Sequence, residues 1–216
     1  MTERWTFGVE PLTQTQEAAG LLRRVAGLVA AMEADAGPVE QLIADLRAAH
    51  ESLEAIAPAD MGPRVGADAA ADRRVYLDHS RDIGAYNPAF PEYTIDVNGS
   101  RASGSVTFPL AFEGPPGIVH GGVLGTFFDC VIQHHNCDVG VAGKTTSLLV
   151  EYHRPTPLFE PLLFEIDREV DDARITSRAR LVRGDRPEKP LCSATMQAVA
   201  GDRARLSPVS PRRITP

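Results

Sequence analysis

Residues 114–129 read GPPGIVHGGVLGTFFD, a stretch that sets a His-Gly-Gly turn at a helix start and places one carboxylate further along that helix. Between positions 121 and 133 the only charged residue is Asp129, flanked by Phe127, Phe128, Cys130 and Val131. A lone carboxylate in such surroundings is costly unless a specific donor hydrogen-bonds it, which makes it a candidate for chemistry. Gly121 and Gly122 leave backbone N–H groups open to close approach. Where a helix begins at such a pair, unpaired donors and the positive end of the helix dipole point outward together. That is an oxyanion hole in outline, with the Gly121 N–H as donor. One such donor is typically worth about 3 to 4 kcal/mol of transition-state stabilisation.

Asp129 lies eight positions after Gly121. At the rise of an α-helix the two are roughly 12 Å apart along one axis, so they cannot both touch one substrate carbonyl. If they cooperate, the carboxylate comes from a second copy of the helix, antiparallel across a two-fold axis. The spacing therefore predicts a homodimer, or a dimer of dimers, with shared sites.

Residues 144–158, KTTSLLVEYHRPTPL, supply a strand ending in Tyr-x-x-Pro. With the His-Gly-Gly turn and the Asp on its helix, the chain resembles the hotdog-fold acyl-CoA thioesterases of the PaaI-like group. GPPGIVHGG is most similar to the subgroup containing thioesterase superfamily members 4 and 5. The resemblance covers roughly residues 75–200 and implies an α+β fold, an antiparallel sheet wrapped around one long helix. It further implies Asp129 as general base or nucleophile, Gly121 as oxyanion donor and His120 as the residue ordering the turn. Thr145, seven positions before Tyr152, would supply the hydroxyl that orients water or carboxylate. The reaction it implies is hydrolysis of an acyl-CoA to free acid and CoA without metal or cofactor, coenzyme A being part of the substrate.

Two departures bear on this. Many relatives carry an Asn six positions before the His, where this chain has Gly114 beside Glu113, so the imidazole is held differently. Phe127, Phe128 and the run Gln133-His134-His135-Asn136 are bulkier than the small residues common in that helix, which bears on acyl-pocket length. Phe128 is a core residue or a wall of the acyl channel. Gly122 and Thr146, neighbours of the proposed catalytic groups, are further candidates for substrate contact. Arg178 and Arg180, with Arg183, Arg186 and Lys189 nearby, are either contacts for the coenzyme A phosphates or solvated edge charges. Adjacent histidines at 134 and 135 do not face one metal from a helix. Cys130 has no adjacent basic partner and reads as a packed thiol.

The 216 residues suffice for one core of about 130 residues plus an accessory segment, and 43% hydrophobic content is ordinary for a globular chain. The net charge is −7, and residues 1–60 carry more acid than base, opposite in sign to a phosphate-binding surface, so nucleic acid is not an expected partner. No run approaches a membrane span, no secretory signal is visible, and the 3 cysteines (Cys130, Cys137, Cys192) are scattered. A cytoplasmic location is the expectation.

Periodicity predicts an amphipathic helix over 13–34 with a stripe of Leu21, Leu22, Val25, Leu28, Val29 and Met32, and a second over 38–57 with Leu42, Leu46, Ala49, Leu53 and Ile56. Together they read as a helical hairpin over 1–60. A linker follows over 61–75, then the hotdog domain over 76–200, then a disordered tail over 201–216. Within the domain, strands are expected at 93–97 and 102–108 around an Asn98-Gly99 turn. The motif helix covers 118–136, and strands follow at 144–153, 161–170, 173–184 and 190–200. Two other functions fit the same fold: a hydratase or dehydratase acting on thioesters, and a non-catalytic acyl-CoA sensor. The Asp-on-helix pattern disfavours the first, and only turnover separates the second.

Overall fold

The computed structural model describes residues 13–56, 82–136 and 144–200. The expected linker and its boundaries, the tail from 201 and Cys137 lie outside the described residues. Helices α1 (Thr13–Ala30) and α2 (Gly37–Ile56) form where the two periodic runs place them. Pro38 sits in the first turn of α2, where a missing N–H costs nothing. A short helix α3 (Ile83–Tyr86) opens the body. There follow β1 (Tyr93–Asn98), β2 (Arg101–Val106), a 3₁₀ turn (Leu110–Phe112), α4 (Gly121–Asn136), β3 (Lys144–Tyr152), β4 (Leu162–Asp171), β5 (Arg174–Arg183) and β6 (Cys192–Val199). Among the described residues no helix is long and apolar enough to cross a membrane.

The six strands form one antiparallel sheet in the order β1-β2-β4-β5-β6-β3. Strand β3 leaves chain order and occupies the far edge. Period-two alternation turns one face inward: Leu162, Phe164 and Ile166 on β4, Ile175, Ser177, Ala179 and Leu181 on β5, and Cys192, Ala194, Met196 and Ala198 on β6 are all buried. Against that face lies α4, which buries Leu124, Phe127, Phe128, Val131 and Ile132. Phe127 is the hub, with the rings of Phe90, Tyr93, Phe108, Phe128 and Phe164 between 5.4 and 6.4 Å away. Gly104 in β2 makes room for this cluster, since a Cβ there would lie 1.9 Å from the Thr94 carbonyl oxygen and 2.4 Å from the Phe164 ring.

The β1–β2 turn differs by one residue from the expected Asn-Gly pair. Asn98 pairs with Arg101, so the two-residue loop is Gly99-Ser100. Gly99 takes φ +59° while Ser100 does not have positive φ, the pattern of a II′ turn with Gly at its first central position. Arg168, buried beneath the loop, donates to the Gly99 carbonyl at 2.8 Å and to that of His135. The motif helix starts at Gly121 rather than 118, because Ile118 and Val119 are held in β-bridges to Pro157 and Glu113.

Helix α1 docks on the body by an unexpected face. Its buried residues are Ala19, Gly20 and Arg23, whereas the apolar stripe points outward, with Leu28 64% exposed. At 100° per residue the two faces are nearly opposite. Arg23 holds the contact: its guanidinium donates to the carbonyls of Phe90 (2.7 Å), Gly84 (2.6 Å) and Asn87 (3.0 Å) and pairs with Glu92. No residue of α2 is buried. Replacing Arg23 with Met keeps the stem but strands those carbonyls, and should lower the unfolding free energy by roughly 3 kcal/mol in denaturant titration. An unchanged midpoint would show that α1 docks without the guanidinium.

Candidate active site

The approach to α4 is clamped before the helix begins. The Val119 N–H donates to the Thr156 carbonyl and the His120 N–H to that of Phe112, both at 2.9 Å. Gly114 packs against the same turn, where a Cβ would come within 2.8 Å of His120 Cα. The small residue at 114 thus lets the two backbones approach. His120 is held by its own turn: Nδ1 accepts from the Gly122 N–H at 3.0 Å, which leaves the proton of the neutral ring on Nε2.

The first four N–H groups of a helix have no intrahelical acceptor, and three of the four here are accounted for. Gly122 donates to His120 Nδ1, while Val123 and Leu124 donate to the His120 carbonyl. The Gly121 N–H has no acceptor among the described residues. Its own carbonyl is taken by the Tyr152 hydroxyl, which donates at 2.8 Å. The Tyr152 ring lies 3.3 Å from where a Gly121 Cβ would be, so the strand end covers one flank of the turn.

Asp129 is half-buried two turns further along α4, and a specific donor does meet it. Thr145 Oγ1 donates to Asp129 Oδ1 at 3.0 Å. Gln133, one turn beyond Asp129, donates from Nε2 to the same Thr145 oxygen at 2.6 Å. In a regular strand, residues seven apart face opposite sides, yet both Thr145 and Tyr152 reach α4. The register explains this: Thr145 pairs with Ala198 and Ser147 with Gln197, so Thr146 is the extra residue of a β-bulge. The displaced Thr146 hydroxyl donates to the Gln197 carbonyl at 3.0 Å.

The structure thus brings Asp129 and Thr145 together, and joins His120, Gly121 and Gly122 in one turn. Phe128 is fully buried in the core beneath the sheet. Arg178 and Arg180 project from the face of β5 opposite to α4 and pair with Glu169 (2.8 Å) and Glu165 (2.7 Å) on β4. They do not converge on Asp129 within one chain. His134 and His135 diverge, the first to the Tyr93 hydroxyl and the second to the Gly99 carbonyl. Burial, with Asp82 adding to it, pushes the Tyr93 phenol up. Sequence reasoning missed Gln133 as a contact of the site. Its signal was a polar side chain at i+4 from Asp129.

No family model and no curated protein sequence matches the chain. A crystal structure of a thioesterase superfamily protein, 28% identical, aligns over 89% of this chain and 98% of its own, with a TM-score of 0.72. The fold is the hotdog fold. That alignment is longer than the body from 82 to 200, so it takes in N-terminal residues as well. A hypothetical thioesterase from Streptococcus pneumoniae TIGR4, solved with coenzyme A, is 16% identical over 50% of this chain and 88% of its own, with a TM-score of 0.47. A Streptococcus mutans UA159 protein bound to acetyl CoA is 12% identical over 51% of this chain and 89% of its own, also at 0.47. The likeness reaches the thioesterase superfamily and does not single out the subgroup of members 4 and 5.

Two thiols of the hotdog body are inert by environment. Burial pushes Cys130 up to about 12, with the neighbouring Asp129 carboxylate adding to the effect, and burial does the same to Cys192. At pH 8 each would be thiolate at roughly one part in ten thousand. Iodoacetamide treatment of the native protein at that pH, read by peptide mass spectrometry, should leave both unmodified. Rapid labelling of Cys130 would contradict the packed-thiol assignment.

Proposed function

We propose that the protein is an acyl-CoA thioesterase that hydrolyses its substrate to free acid and CoA. One observation carries the reading: a half-buried carboxylate, bonded on one oxygen by Thr145, shares a helix with an N-terminal Gly121 N–H that has no acceptor among the described residues. The whole-chain likeness to a thioesterase superfamily protein supports it. Thr145 fixes one carboxylate oxygen of Asp129, and no other protein donor among the described residues engages the group. In this reading the free oxygen takes a proton from water as the water oxygen attacks the thioester carbonyl carbon. The developing oxyanion is received by the Gly121 N–H. Collapse breaks the C–S bond, and the thiolate of CoA takes up the proton held by Asp129. Direct attack by the carboxylate, followed by hydrolysis of the anhydride, uses the same groups. General-base assistance is worth about a hundred- to ten-thousandfold in rate.

Gly121 and Asp129 lie too far apart along α4 to serve one carbonyl, so the working unit in this reading is a two-fold dimer in which each site takes one group from each copy. Strand β3 is an edge of the sheet, pairing with β6 alone among the described residues, and Gly122 and Thr126 on α4 are exposed. An unpaired edge of that kind is what a second copy would cover.

Release of thiol should be followed across short, long and aromatic acyl-CoAs. Asp129→Asn should keep fold and oligomer size and lose at least about a hundredfold in turnover. An active Asn variant would end the assignment. Binding of acyl-CoA without turnover of any panel member would point to the sensor.

Sharing has its own test. Gly121→Pro removes the one N–H in question at the helix position that tolerates proline, and should also be inactive. Mixing it with Asp129→Asn under subunit exchange should restore up to about a quarter of wild-type activity, because half the dimers are mixed and each holds one intact site. No recovery despite demonstrated exchange would overturn the shared site.

A further inference from the structure

We infer that Gln133 is a positioning residue of this site, acting by dictating which way the Thr145 hydroxyl donates. The inference rests on the thioesterase reading of Asp129 and adds a component that neither the turn nor the strand motif contains.

The directionality follows from the inventory of donors. A hydroxyl has one proton and two lone pairs, an ionised carboxylate only accepts, and an amide nitrogen only donates. Gln133 Nε2 lies 2.6 Å from Thr145 Oγ1, and that oxygen lies 3.0 Å from Asp129 Oδ1. With the amide proton occupying one lone pair of Thr145, the hydroxyl proton is turned toward Asp129. The contacts therefore form a one-way relay, Gln133 to Thr145 to Asp129. The competing acceptor is Met196 Sδ, 3.9 Å from Thr145 Oγ1, a weak acceptor that already receives the Asn136 amide at 4.0 Å.

The burial of Gln133 speaks to the same role. The residue is 8% exposed, and its Oε1 is buried with no hydrogen-bond partner. An amide half-satisfied in the interior is unfavourable where an apolar side chain would pack without that cost. What the amide supplies here, and an apolar group cannot, is the donor to Thr145. Asp129 and Gln133 are i and i+4 on α4, so the helix fixes their separation while β3 brings the hydroxyl between them.

The test is a double-mutant cycle on turnover. Gln133→Met, close in size but without a donor, should lower kcat roughly tenfold, the scale of one hydrogen bond, with KM changed less than about twofold. In the Thr145→Val background, where there is no hydroxyl to direct, the same substitution should cost nothing further. Gln133→Leu, which also lacks a donor, should be as slow as Gln133→Met, and it decides the matter alone if the Met variant does not fold. Equal losses in both backgrounds, or wild-type turnover by Gln133→Leu, would overturn the inference. If Asp129→Asn is inactive while the Gln133 variants turn over normally, only the relay fails. If Asp129→Asn is active, the reading of the site itself fails.

Discussion

The site depends on one constraint: strand β3 is tied to helix α4 at both of its ends. Thr145 donates to the Asp129 carboxylate near the strand's start, and Tyr152 donates to the Gly121 carbonyl at its finish. The two groups used in the proposed reaction, an open N–H and a carboxylate, are backed by the same strand. Because β3 is the last strand of the sheet and pairs with β6 alone among the described residues, its other edge is unpaired there. The polar ties place the strand where packing alone would allow it to slide.

Behind this layer the body is conventional and stiff. The inner residues of β4, β5 and β6 and the ring cluster around Phe127 grip one side of α4. The other side carries Gly122, Gly125 and Thr126, and a Cβ at Gly125 would meet nothing within 4 Å. The helix is thus apolar and anchored on one side, small and open on the other. A carboxylate at position 129 sits on the border between the two. It is near enough to the core to be held by a single hydroxyl and near enough to the open side to be reached.

Much of this was legible in the chain. The His-Gly-Gly turn, the helix after it, both N-terminal helices and all six strands follow from periodicity and turn residues, with ends shifted by a few positions. Strand order was not legible, since alternation reports which residues face inward and says nothing of which strand lies alongside. The docking face of α1 was also hidden. The stripe of Leu21, Leu28 and Met32 is the stronger periodic signal, yet Arg23 does the docking, because its acceptors are loop carbonyls between 84 and 90 that leave no trace in sequence. Arg178 and Arg180 could be placed on the sheet but not on a face of it. Thr145 was found through resemblance alone, since plain alternation from Tyr152 sets it on the wrong side.

The bulge at Thr146 turns the aim of that hydroxyl into a matter of parity. The residues between 147 and 151 that face away from α4 are free to vary in kind, but their number is not free to vary by one. Deleting a single residue between 147 and 151 with the bulge kept would rotate Thr145 away from Asp129 while leaving every side chain of the motif present in the sequence. Deleting Thr146 itself would instead straighten the strand and keep Thr145 on the α4 side, so the effect of a one-codon deletion in β3 depends on which side of the bulge it falls.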